Sequence, residues 1–83
     1  MEEKIVFRAS AFKHSVEELD IRHAFELRLY DHILPSEEDK NLLIGIDRNG
    51  NLLEILYNVI DEQTINVFHA MPCRKAYRDF FDL

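Results

Sequence analysis

Glycine is almost missing from this chain of 83 residues, with Gly45 and Gly50 the only two. That excludes a glycine-rich phosphate loop, which needs several positions of close backbone approach. A Gly-x-Ser-x-Gly elbow is absent too. The single cysteine, Cys73, excludes an internal disulfide, and no Cys-x-x-Cys or i, i+4 His pair gives zinc-ligand spacing. The expectation is no metal site and no cofactor. No apolar run approaches the ~18 residues that span a bilayer as a helix. The opening Met1-Glu2-Glu3-Lys4 lacks the basic, apolar, small-residue order of a secretion signal. These absences predict a cytoplasmic, reducing compartment and no membrane contact. Positive charge is also scarce. Ten Lys and Arg against sixteen Asp and Glu leave a net charge of −6, which argues against a surface that attracts nucleic acid all over. A local basic patch is still allowed.

What is present is dominated by one stretch, Leu42 to Leu56, where two apolar runs flank Asn49-Gly50. Asn-Gly is the strongest short signal for a hairpin, because a type I′ turn needs φ > 0 at both central residues. A two-residue turn there predicts the pairs Ile46 with Leu53, Ile44 with Ile55 and Leu42 with Tyr57, all six on one apolar face. The other face mixes Leu43, Leu52 and Leu56 with Gly45, Asp47, Glu54 and Asn58.

The rest of the chain, residues 1–83 as one domain, is organised around that hairpin. Lys4–Arg8 reads as a short edge strand or an extended lead-in, and residues 9–14 as one or two helical turns. Ser15 with Glu18 forms a capping-box pattern, which places a helix from about Val16 to Leu29. Two apolar stripes on that helix, Val16/Leu19/His23/Leu27 and Ile21/Phe25/Leu29, predict that it is sandwiched. His23 reads as a packing residue and His32 as a strand-end surface residue. A short strand at 31–34 is stopped by Pro35 and followed by a polar loop. Strands at about 41–48, 51–60 and 64–71 follow. Pro72 then opens a terminal helix with an apolar stripe of Cys73, Ala76, Tyr77 and Phe80. The acidic clusters at 17–20, 37–39 and 61–62 read as solvated helix starts and loops. The fold class is α+β: N-terminal helix or helices, an antiparallel meander of three or four strands, and a C-terminal helix.

Chemistry concentrates where the last strand meets that helix. If the 61–64 loop has four residues, Leu56 pairs with His69 and Glu54 lies diagonally beside the imidazole. A carboxylate there fixes a histidine tautomer for acid–base work. A three-residue loop would instead turn His69 to the apolar face as a structural residue. Arg74, Lys75 and Arg78 make a basic patch, suited to phosphate or simply to a soluble helix face. Lys13-His14 is a second cationic element, with a solvated turn as the plain alternative.

Two segments resemble one family. Lys13-His14-Ser15-Val16 before a helix is similar to the Lys-His-Gly-Val/Ile element of BrnT-type toxins, with Ser15 standing where the family has Gly. Val67-Phe68-His69-Ala70-Met71-Pro72-Cys73-Arg74-Lys75-Ala76-Tyr77-Arg78 resembles that family's final strand and the basic helix after it. The resemblance spans about Phe7 to Phe81. It implies a RelE-like fold and a ribonuclease toxin of a bacterial type II toxin–antitoxin module. Its partners would be RNA and a cognate antitoxin, as a homodimer or a toxin–antitoxin hetero-oligomer. It also implies metal-independent RNA cleavage by a ribose 2′-hydroxyl. His14 or His69 would be base or acid, Glu54 orienter or base, and Arg74 the phosphate clamp. Lys13, Arg48, Lys75, Tyr77 and Arg78 would hold RNA. The competing expectation is a non-catalytic module that binds another protein through its sheet face and apolar helix.

Overall fold

The structure is a computed structural model that describes residues 4–35 and 37–80, with only the backbone described at Glu37, Glu38 and Phe80. The expected place of Phe80 in an apolar stripe, and the solvation of Glu37 and Glu38, therefore lie outside the described side chains. Five strands and two helices run in the order β1 (Lys4–Phe7), α1 (Glu18–Glu26), β2 (Arg28–Leu34), β3 (Glu37–Ile46), β4 (Leu52–Asp61), β5 (Thr64–Pro72) and α2 (Lys75–Phe80). A single 3₁₀ turn, Ala9–Phe12, lies between β1 and α1. The strands form one sheet in the order β1-β5-β4-β3-β2. The antiparallel meander of β2 to β5 matches the expectation. The sheet as a whole is mixed, because β1 pairs parallel to β5 through Lys4–Phe7 and Thr64–Val67. No helix among the described residues is long and apolar enough to cross a membrane.

The central hairpin forms at the expected place with a different register. Its pairs are Ile46 with Leu52, Gly45 with Leu53, Ile44 with Glu54, Leu43 with Ile55 and Asn41 with Tyr57. The cause is the turn. Within the turn only Gly50 has positive φ, at 83°, so Asn49 does not join it in a type I′ turn. Asp47 instead closes a three-residue loop. Its carbonyl accepts the Gly50 N–H, its N–H donates to Asn51, and its carboxylate takes the N–H groups of Asn49 and Asn51. A type I turn followed by a left-handed glycine is the usual geometry for that loop length. The one-residue slip turns Leu43 and Gly45 toward the helix and Ile44 to the opposite face, while Leu53, Ile55 and Tyr57 keep the helix side and Glu54 the other side, as expected.

Two further irregularities lie between β4 and β5, and they cancel. The register shifts at Ile60 on β4 and again at Phe68 on β5, so Leu56 still pairs with His69. The turn itself is tight, with Asp61 opposite Thr64. Val67 and Ala70 join the helix-side core, whereas Phe68 sits in the bulge.

Helix α1 is shorter and more one-sided than its sequence predicts. Ser15 does not cap it; the N-cap is Glu17, without a side-chain hydrogen bond, and the Glu18 carboxylate bonds Arg22 instead. At the other end Arg28 donates to the Phe25 carbonyl and the Ile46 N–H to the Leu27 carbonyl, which stops the helix and starts β2. Ile21, Ala24 and Phe25 are buried against the sheet, while Leu19 and Leu27 are exposed, so the helix is not sandwiched. Pro72 closes β5 and does not open α2, whose first turn hangs from the Arg74 carbonyl.

Ser15 holds φ at 63°, the left-handed region that costs a non-glycine residue about 1–2 kcal/mol. Glycine removes that cost but loses more backbone freedom on folding. Ser15→Gly is therefore expected to stabilise the protein by about 0.5–1 kcal/mol, a rise of a few degrees in Tm by differential scanning calorimetry. An unchanged or lowered Tm would contradict the strain.

Candidate active site

The site grows from the alternation of β4. Leu53 and Ile55 point into the core under α1, so Glu54 between them must point to the other face, where its side chain is 1% exposed. A carboxylate removed from water in this way needs donors for both oxygens. Arg74 supplies three. Its backbone N–H and Nε donate to Glu54 Oε1, each at 3.0 Å, and its Nη2 donates to Oε2 at 2.9 Å. His69 Nε2 lies 3.2 Å from the same Oε2. Burial raises the pKa of Glu54, but the hydrogen bonds from Arg74 and His69 outweigh it and hold the carboxyl below its ordinary range. The same bonds push the Arg74 guanidinium up.

Chain path explains how Arg74 arrives. Pairing with β4 continues past Pro72 through the Cys73 N–H bond to the Leu52 carbonyl, and the next N–H, that of Arg74, falls on Glu54. The guanidinium also lies 5.2 Å from the Tyr77 ring centre, and its side chain is 56% exposed, so the cation is anchored on one edge and open to solvent on another. The thiol of Cys73 alongside is raised by burial and by the Glu54 charge, which leaves it a poor nucleophile.

His14 reaches the cluster from the other end of the chain. Ser10 Oγ donates to the Phe68 carbonyl at 2.6 Å and so ties the 3₁₀ turn to the bulge of β5. His14 follows that turn, and its ring stands edge-on to His69 with centroids 5.6 Å apart. Nothing in the sequence marks Ser10 for this, since a serine in a polar turn is generic.

Of the residues singled out by sequence, the fold brings together His14, Glu54, His69, Arg74 and Tyr77. Lys13 is exposed beside His14. Lys75 pairs with Asp79 on α2, and Arg78 lines a separate recess of about 300 Å³ with Asp47 and Cys73. Arg48 lies apart, at the hairpin tip. It bonds Asp20 and Glu17 at the start of α1, lowering the Asp20 pKa, and so clamps helix to hairpin. His23 meets the Ile46 carbonyl, the packing role expected of it. Among the described residues no three His, Cys, Asp or Glu side chains are grouped to hold a metal ion.

No protein-family model and no curated protein sequence matches the chain. Among solved structures it is similar to the crystal structure of BrnT, a ribonuclease toxin of Brucella abortus, with a TM-score of 0.64 and 17% identity over 88% of this chain and 99% of that one. The likeness thus covers nearly the whole of both chains, and the protein has the α+β fold of that BrnT toxin, built here on a five-stranded mixed sheet.

Proposed function

We propose that the protein is the toxin of a bacterial toxin–antitoxin pair, a cytoplasmic endoribonuclease held inactive by a cognate antitoxin. The observation that carries this reading is the grouping of His69 and Arg74 on buried Glu54, with the His14 ring against His69, on a fold shared with a ribonuclease toxin. Glu54 accepts four donor contacts and is held ionised, so it is a positioning group rather than the base. By accepting from His69 Nε2 it leaves Nδ1 as the basic nitrogen. One histidine then removes the proton of a ribose 2′-hydroxyl and the other protonates the departing 5′-oxygen. The open edge of the Arg74 guanidinium stabilises the charge that builds on the phosphate oxygens. The products are a 2′,3′-cyclic phosphate and a 5′-hydroxyl end.

Purified protein incubated with RNA in EDTA should produce those ends, and expression alone should arrest bacterial growth. His69→Ala, His14→Ala and Arg74→Ala, each checked for folding by circular dichroism, are expected to lower the cleavage rate by ~100-fold or more and to relieve the arrest. Full cleavage by both His69→Ala and Arg74→Ala would remove the assignment. The non-catalytic reading draws on the exposed apolar side chains Leu29 and Ile33 of edge strand β2. Harmless expression together with inert RNA would favour it.

A further inference from the structure

The face that carries Glu54 continues along β4 and β5 into a recess of about 350 Å³, within the ~300–1,000 Å³ range of small-ligand pockets. Its walls include Arg8, Asp39, Lys40, Asn58, Asn66 and Phe68. Asn58 and Asn66 pair directly across the strands, two residues from Leu56 on β4 and three from His69 on β5, where the bulge intervenes. At the rise of a strand that is about 7–10 Å beyond the Leu56–His69 pair. Their neighbours Tyr57, Val59, Ile65 and Val67 are the β-branched and aromatic residues that strands favour, so two facing asparagines are costly choices for the sheet itself. Asn66 Nδ2 donates to Asn58 Oδ1 at 2.9 Å, a bond that uses neither the Asn58 amide hydrogens nor the Asn66 side-chain carbonyl. The bulge places Phe68 in the same recess, with the Lys40 ammonium 5.8 Å from its ring centre. Arg8 is exposed, and its side chain makes no ion pair among the described residues although the chain carries a net charge of −6.

An aromatic ring, amides with spare donors and acceptors, and a cation are the components that recognise single-stranded RNA. The ring stacks a base, the amides read its edge, and the cation holds the backbone. Asp39 disfavours a further phosphate at its end of the recess and accepts amino hydrogens of a base. We propose that this recess is a nucleotide-binding subsite that seats the residue of an RNA strand next to the scissile bond. Phe68 and the Asn58–Asn66 pair engage the base, and Arg8 engages the phosphate. The inference rests on the ribonuclease reading and adds where the strand lies.

The test uses the full chain and two RNA probes of one sequence: a 2′-O-methyl octamer that lacks the attacking hydroxyl, for fluorescence anisotropy, and the unmodified octamer for kinetics. Arg8→Gln and Phe68→Leu, both folded by circular dichroism, are expected to weaken octamer binding at least 5-fold and to raise KM by a similar factor, with kcat changed less than about twofold. Wild-type affinity and KM in both variants, with wild-type protein cutting the RNA, would overturn the subsite and leave the nuclease reading standing. Wild-type protein that neither binds nor cuts would overturn both. Variants that bind RNA normally but lose their antitoxin would assign the recess to a protein and overturn the proposal.

Discussion

Gly45→Ala is expected to cost the fold about 3 kcal/mol or more. A Cβ on Gly45 would stand 2.1 Å from the Ala24 carbonyl oxygen and under 3.0 Å from two more backbone atoms of the same residue. Neither side can give. Gly45 is the next-to-last residue of β3 but is still paired on one side with Leu53 and on the other with Arg28, and Ala24 is in the buried row of α1. Relief requires the helix to lift off the sheet, which opens the packing of Ile21, Phe25, Ile55 and Tyr57. Overpacking a well-filled core costs about 1–3 kcal/mol and more where backbone must move. A domain of this length has about 4–12 kcal/mol of stability in total. Urea unfolding should show a midpoint strongly lowered or a protein unfolded without denaturant. A midpoint equal to wild type would mean that α1 does not rest on Gly45.

Glu54→Gln is the second large effect, and it reaches both stability and activity. The amide keeps the shape of the carboxylate but not its charge, and its NH₂ group cannot accept a bond from Arg74 or His69. Removing one member of a buried ion pair costs about 3–5 kcal/mol. Arg74 is more than half exposed here and regains water, so a loss of about 2 kcal/mol is expected. Cleavage should fall by ~100-fold or more, because His69 loses its tautomer partner and Arg74 its anchor. Acid supplies an independent check. The folded-state pKa of Glu54 is depressed, so its contribution is fully present above the ordinary glutamate pKa of about 4.3 and disappears as the pH falls through the lower folded value. Asp20 and Asp61 are depressed as well, so wild-type stability should decline over the same acid range. The difference between wild type and Glu54→Gln isolates Glu54: large at pH 7, shrinking toward zero as the pH falls below about 4. A difference that stays constant across that window would refute the depressed carboxyl.

Much of the architecture was legible in the linear pattern. The apolar runs on either side of Asn49-Gly50, the alternation at 64–71 and the acidic start of the 18–26 segment define strands and helix locally. The proximity of Glu54, His69 and Arg74 was legible too, but only on an assumed loop length. The correct Leu56–His69 pair arises from two bulges that offset each other rather than from the loop alone. The hairpin register was misread because Asn-Gly outweighed Asp47, whose side chain selects a longer loop. Arg48 was grouped with the RNA contacts because its partners Glu17 and Asp20 are distant in sequence. Arg8, Asn58, Asn66 and Phe68 were not grouped as a site, since they become neighbours only when β1, β4 and β5 are aligned.

The sequence by itself determined roughly where the strands and helices lie, except that 28–29, expected as helix, and 37–40, expected as loop, are strand. It also determined that one sheet would carry the core and, given the loop length, that imidazole and guanidinium would meet where β5 ends. Only the tertiary structure decided the facing of β3, the parallel seating of β1, the early end of α1 and the burial of Glu54. The reason is that strand and helix formation depend on neighbours a few residues apart, whereas facing and burial are set by register. A single residue of slip, fixed by one aspartate in a turn, exchanges every side chain between the two sides of a strand.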